Sequence, residues 1–420
     1  MVADRYERQA DVLVLGAGII GVCVALHLQK RGRSVILVDR KEPGEETSYG
    51  NAGLIERSSV VPYGAPREFR TLLHYAFNRS TDVRLDWTYL PRLAPWLWRF
   101  WRESAPERLA KAATDMWPLI RASVAEHDVL AREAGAANSL RKEGWIEAFR
   151  SEASFEKALR AATSVAPYDL CYEVLGAKDL RRREPDLSGD LVGGIHWRDP
   201  ATVDDPGGLV KSYAFLFVRG GGGVCKADAR TLRQENNGWR VDGETGGIFA
   251  RETVVALGPW SADLLGGLGY RLPFAVKRGY HVHYEPKGEA KLNHPVVDID
   301  GGYLLAPMRQ GIRLATGIEF APRDSSPNYS QLNAAEPLAR RTFPLDRRIE
   351  ARPWMGSRPC LADMRPVIGT AGKHKNLWLA FGHNHHGLTL GPVTGRLLAE
   401  MMTGQVPFTD PGPYAITRFS

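Results

Sequence analysis

The stretch GAGIIG at residues 16–21 constrains this chain more than any other. It separates an apolar run at 11–15 from an apolar segment at 19–31 that Gly32 closes, so the spacing predicts a buried strand, a tight turn and a helix. A second apolar run at 35–38 ends on Asp39, an acid at about the twenty-residue offset of a dinucleotide-binding β-α-β unit. Gly16 permits the turn, Gly18 lets the backbone approach a pyrophosphate, and Gly21 lets the helix lie close on the strand. The helix N-terminus then faces the phosphate charge and Asp39 accepts the ribose hydroxyls. Nicotinamide and flavin dinucleotides both use this arrangement, so the motif alone leaves the chemistry open.

Beyond residue 60 the patterning changes twice. Residues 63–135 read as long helical stretches rich in Trp, Arg and Ala, with 108–134 the clearest. Between 199 and 257 an α/β pattern returns: Asp204 and Pro206 start a helix through Val218, the glycines at 220–223 end it, and 251–257 forms a strand. Residues 274–284 and 303–320 alternate like antiparallel strands, and 377–381 is a short apolar strand running into GHNHHGLTLGPVTG and a helix. No internal repeat and no low-complexity linker separates these blocks, so the domains are interleaved along the chain.

The remaining global features mostly exclude. With 420 residues, 44% hydrophobic and 25% charged, the chain suits two or three domains and not a disordered, collagen-like or disulfide-stapled protein. The net charge of +7 suggests anionic partners without naming one. Cys23, Cys171, Cys225 and Cys360 lie far apart without zinc-ligand spacing, which points to a reducing compartment and no metal site. The apolar segment at 12–28 is broken by Gly16, Gly18 and Gly21, so no transmembrane helix is expected. Residues 1–10 are charged and carry no apolar core, which argues against a secretory signal and for the cytoplasm.

Three further segments decide the chemistry. ETSYGNAG at 46–53 follows the acid within one loop, where small residues let a flat ring lie against the backbone; VVALGPWS at 254–261 ends a strand in a glycine turn; and GHNHHGL at 382–388 opens a helix whose positive end suits the anion of a reduced flavin. With RGYHV at 278–282, GSRP at 356–359 and PVIG at 366–369, the chain resembles the flavin-dependent D-amino-acid oxidase superfamily (the DAO family), which includes glycine and sarcosine oxidases. It is most similar to the bacterial D-amino-acid dehydrogenase small-subunit-like branch.

The resemblance implies a mixed α/β fold in which a Rossmann-like FAD-binding domain (1–60, 185–265 and 353–420) is interleaved with a substrate domain (61–184 and 266–352) built on an antiparallel sheet with helices. It implies non-covalent FAD held by Gly16, Gly18, Ile19, Ile20, Gly21, Asp39 and Arg40, with the ring near Ser48, Asn51, Ala52, Gly53 and Leu54. Ala229 would supply a backbone contact near the adenine, Gly258 and Trp260 would line the cofactor, and Gly382, His383, Gly387, Leu388 and Thr389 would hold the pyrimidine edge. Arg358 matches the arginine that clamps the substrate carboxylate, a task suited to a bidentate guanidinium. Tyr280 and Tyr303 fall on the strands that form the substrate wall, Asn51 is a substrate contact, and His383 completes the catalytic set. Hydride transfer needs orientation and an uncharged amine, so no acid–base dyad is expected, and the histidines at 383, 385 and 386 lack partners for a metal.

The chain departs from the branch where Ala362-Asp363-Met364-Arg365-Pro366 replaces a Pro-Asp-Ser-Leu-Pro type run. Arg365 is therefore expected to read a second anionic group on the substrate. Cys360 is offset from the cysteine that carries covalent flavin in sarcosine oxidases, so dissociable FAD is expected. PRLAPWLWRFWRES at 91–104 reads either as a seat on an anionic membrane or as an ordinary packed amphipathic helix. Two activities stay open: oxidative deamination of D-amino acids to 2-oxo acids, with a quinone or oxygen as electron acceptor, or oxidation of a secondary amine such as hydroxy-D-proline, sarcosine or an opine, as a homo-oligomer or one subunit of a hetero-oligomer. An electron-transfer subunit is disfavoured by Arg358, Tyr280 and Tyr303, and nucleic acid by the absence of a concentrated basic tract.

Overall fold

The computed structural model describes residues 8–419 except 79 and 189; the first seven residues of the charged N-terminal stretch lie outside the described residues. Strand β1 (Arg8–Leu15) is flanked in parallel by β2 (Val35–Asp39), with Val12 opposite Val35, and by Gly246–Val255, with Leu15 opposite Val255. Strand alternation then divides its side chains between two cores. Val12 and Val14 pack under helix α1 (Ile19–Gln29), whereas Leu13 and Leu15 face the other side with Trp239 and Phe381. Burial on both faces explains why β1 reads as an unbroken apolar run.

Strands Gly223–Glu235 and Gly238–Gly243 join Gly246–Val255 in a meander, and Leu377–Phe381 and Val367–Thr370 complete seven strands. Three distant stretches of sequence thus build one sheet. The helix Gly387–Met402 lies across α1, and a Cβ on Gly395 would sit 2.5 Å from the Cys23 carbonyl, so only glycine allows this approach. The helix Pro206–Arg219 is capped by Asp205, whose carboxylate accepts from the Gly208 N–H at 2.8 Å; Asp204, expected in that role, precedes the cap.

The second sheet has eleven strands and centres on Phe274–Pro286, which pairs antiparallel with Trp354–Leu361 and with Gly311–Thr316. Two stretches that the sequence assigns to the FAD domain join it. Gly193–Trp197 pairs with Trp145–Phe149, and Trp354–Leu361 pairs with Phe274–Pro286, because these strands find their hydrogen-bond partners in this second sheet. The helical excursion contains Leu90–Glu103 and the 28-residue helix Pro106–Glu133. Among the described residues no helix is long and apolar enough to cross a membrane.

Candidate active site

A cavity of about 990 Å³ runs from the glycine turn after β1 to the N-terminus of the helix Gly387–Met402. Gly16, Gly18, Ile19, Ile20 and Asp39 line its first part. The Asp39 carboxylate accepts from the Ala17 N–H at 2.7 Å and the Lys41 N–H at 3.0 Å, fixing turn and acid to each other. Ser48 Oγ accepts from the Ile19 N–H at 3.0 Å, so the 46–53 loop is tied to the helix start. Gly21 lies behind the lining, and a Cβ there would stand 1.8 Å from the Gly16 carbonyl.

Ala229, Gly258 and Trp260 also line the cavity, and the Arg40 guanidinium lies 4.2 Å over the Trp260 ring while donating to Glu46 at 2.9 Å. From the loop, Ser48, Asn51 and Ala52 face the cavity. Asn51 Oδ1 accepts from the Gly53 N–H at 2.8 Å, so its amide oxygen is turned into its own loop. Gly53 and Leu54 stand behind this wall, where Leu54 enters the short strand Leu54–Ile55 paired with Ala201–Val203. At the far end His383, Gly387 and Leu388 line the cavity; Gly382 and Thr389 support it from behind, the Thr389 hydroxyl accepting from the Glu56 N–H at 3.0 Å.

Arg358 reaches the cavity from Trp354–Leu361, directly opposite Lys277 in register. Its guanidinium occupies the space above Gly279, where a Cβ would lie 2.7 Å from Nη1. Its hydrogen bond is to the Gly317 carbonyl at 3.3 Å, and no carboxylate of the described residues comes within ion-pair distance. Burial pulls its pKa below the ordinary arginine value, which an arginine tolerates without losing its charge. Tyr280 borders the cavity, but it follows Gly279 on the strand and alternation turns its ring to the other face, where its hydroxyl donates to Glu319, which also holds Arg278 at 2.7 Å, and accepts from the Asn328 N–H at 3.1 Å. The phenol is committed to that network.

Two expected substrate contacts lie elsewhere. Tyr303 is opposite Thr316 in register, whereas Ala315, which lines the cavity, is opposite Leu304; alternation along the strand therefore turns Tyr303 to the far face. Its hydroxyl meets Thr342 Oγ1 at 2.7 Å and Arg150 at 3.3 Å in the core beneath helix Ser330–Thr342. Arg365 is outside the cavity and forms ion pairs with Asp115 and, at 3.1 Å, with Asp363, beside a separate cleft of about 410 Å³. Met364, at φ +60°, makes the sharp turn after Leu361 that carries Arg365 away. An Arg365→Ala variant should keep its KM for the best substrate and lose about 1–3 kcal/mol of stability, because Asp115 and Asp363 are left with fewer counter-ions; Lys111 and Arg418 limit the loss. Steady-state kinetics with a thermal melt checks both parts.

Glu56 and Trp354, outside every motif, also line the cavity, as do Gly279 and His385, which lie within the RGYHV and GHNHHGL motifs. The signal for Glu56 was an acid placed directly after the buried pair Leu54–Ile55, where a strand interior is otherwise apolar.

The family described as DAO, FAD dependent oxidoreductase, matches residues 11–401. The chain belongs to this family. A D-amino-acid oxidase of Bradyrhizobium diazoefficiens is 32% identical over 97% of this chain and 98% of its own length. A D-amino acid dehydrogenase of Chromohalobacter salexigens is 30% identical over 98% of this chain and 100% of its own. Among solved structures, glycine oxidase from Geobacillus kaustophilus superposes with a TM-score of 0.76 at 21% identity, covering 98% of this chain and 99% of that one.

FAD is thus the cofactor of this DAO-family oxidoreductase, and the cavity fits it. In front of Gly258 a Cβ would meet nothing within 4 Å, and one on Gly18 only Ser48 Oγ at 3.3 Å, so both backbone positions are open to a phosphate chain. At the other end Asn384 Oδ1, His385 Nε2 and His386 Nδ1 are buried without partners, as suits the polar edge of a flavin ring and its surroundings. His383 shares a hydrogen bond with Thr394 at 3.0 Å, and burial holds its pKa at about 3 and that of His386 at about 4, so both are neutral at physiological pH.

The structure groups Glu56, His385 and His386, not the three histidines, with their ligand atoms within 4.8 Å of one another. Cys360 does not line the cavity and packs with Leu93, Trp96 and Phe100. Acid precipitation should therefore release the yellow colour into the supernatant and leave a colourless pellet.

Proposed function

We propose that this enzyme oxidises free D-amino acids to imines, which hydrolyse to 2-oxo acids and ammonia. The observation that carries the reading is Arg358, a half-buried guanidinium on the cavity wall that pairs with no carboxylate of the described residues. A substrate carboxylate supplies the missing partner by a charge-assisted, two-pronged contact. Bound FAD supplies the acceptor for the hydride that leaves the substrate α-carbon. The chain's own residues orient and desolvate: Arg358 anchors one end of the substrate, Trp354 walls the space beside it, and neutral His383 adds no competing charge. The D-amino-acid enzymes among its relatives support the substrate class. The secondary-amine reading loses its support with Arg365 held in ion pairs away from the cavity. An anaerobic visible spectrum of the purified protein tests the proposal: D-amino acids should bleach the flavin band, and bleaching by secondary amines alone would overturn it.

For the electron acceptor we favour a quinone reached at an anionic membrane surface. In helix Leu90–Glu103, Leu93, Trp96 and Phe100 are buried while Trp98 and Trp101 are exposed, with Arg102 at 5.2 Å over Trp98 and Arg67 at 4.5 Å over Trp101. Exposed Trp beside Arg is the pairing that a headgroup layer accommodates. Replacing Trp98 and Trp101 with Ala should abolish sedimentation with anionic vesicles and leave amino-acid bleaching of the flavin intact.

A further inference from the structure

Glu56 and Arg358 line the same cavity and are of opposite charge type, yet they do not form an ion pair. Each feels the other's field: the guanidinium favours the ionised carboxylate, and the carboxylate favours the cation. Glu56 is held by its neighbours at both ends. Its N–H donates to Thr389 Oγ1 at 3.0 Å, and its Oε2 accepts from Ser59 Oγ at 2.5 Å. Around it stand His385, whose Nε2 is buried without a partner, His386, whose Nδ1 is likewise unpartnered, and the Tyr63 ring, 5.0 Å from that of His385. Burial holds both histidines neutral, so among the described residues Arg358 is the cation whose field bears on Glu56. Two half-buried, opposite and separated charges on one cavity become costly when a ligand shuts water out, unless that ligand completes both.

We propose that Glu56 is a specificity-determining residue that receives a cationic nitrogen of the substrate whose carboxylate Arg358 holds. This rests on the reading of Arg358 under Proposed function and extends it: the preferred substrate binds with a positive nitrogen within reach of Glu56, either an ammonium on its side chain or its α-ammonium, which sheds a proton before the hydride leaves. A carboxylate is the group for that task, since a hydrogen bond between opposite charges is about twice as strong as a neutral one. Burial raises the Glu56 pKa to about 7, and a bound cation would draw it down again.

The test uses the FAD-loaded enzyme and reads ligand binding from the shift of the flavin spectrum under anaerobic conditions, with reduction followed separately by stopped flow. The ligands are propionate, which has a carboxylate and no nitrogen, D-alanine, D-norleucine and D-lysine. Glu56→Gln keeps the shape and removes the charge, and Glu56→Asp returns the charge as the rescue variant. If Glu56 holds the α-ammonium, Glu56→Gln weakens all three amino acids by about ten- to a hundredfold and leaves propionate alone. If it holds a side-chain ammonium, the same loss falls on D-lysine only. In either case Glu56→Asp recovers part of it. Equal affinities in wild type and Glu56→Gln, or a loss shared by propionate, would overturn the inference. A wild type that binds neither propionate nor any amino acid would instead overturn the reading of Arg358, so the two failures are separable.

Discussion

Arg358→Ala should lower kcat/KM for the preferred amino acid by about two to three orders of magnitude while the protein stays yellow. Breaking one partner of a buried charge pair costs about 3–5 kcal/mol, and here the unpaired partner would be the substrate carboxylate, which can remain in water instead. Arg358→Lys should recover little, because an ammonium cannot offer the planar fork that grips both carboxylate oxygens. Gly279→Ala should mimic the defect without touching the charge, since its Cβ would lie 2.7 Å from Arg358 Nη1 and displace the guanidinium. Stopped-flow reduction of the flavin and propionate titrations measure both variants. A normal rate of reduction in Arg358→Ala would refute the assignment of the carboxylate site.

Gly21→Val should yield protein without a flavin band and with a markedly lower melting temperature. Even the first carbon of the new side chain would stand 1.8 Å from the Gly16 carbonyl, so α1 must move off β1 and take the glycine turn with it. The cost combines overpacking with the loss of the interface between α1 and the helix Gly387–Met402. Gly266→Ala is the control, because a Cβ there meets nothing within 4 Å. Visible absorbance and a thermal melt, each with and without added FAD, report the two effects. Retention of flavin by Gly21→Val would show that the turn tolerates the shift.

Much of this architecture is legible in the sequence because it rests on local rules. The unit β1, α1 and β2 reads from apolar runs, three glycines and one acid, all within a few turns of chain. Arg358 and the GHNHHG loop read by their motifs, and the structure joins them: the Asn384 N–H donates to the Pro359 carbonyl at 2.9 Å. What did not read was decided by register. Tyr303 and Leu304 are equally apolar in pattern, and only the pairing with Thr316 and Ala315 determines which of them shares the face of Ala315. Arg365 reads as a free cation until Asp115, 250 positions away in sequence, is brought beside it. Glu56 did not read because Arg358, whose field it feels without pairing, lies on a strand far along the chain; that field exists only in the folded chain.

The seven-stranded sheet also dictates an order of events during synthesis. Its central strand β1 leaves the ribosome first, while its neighbour Gly246–Val255 and then Leu377–Phe381 follow much later. The nascent chain therefore carries β1 and β2 with open edges through most of translation, and the cleft has no far wall until the helix Gly387–Met402 has emerged. Flavin loading therefore awaits that helix, and a chain truncated before Leu377 should be an aggregation-prone apoprotein, not a slower enzyme.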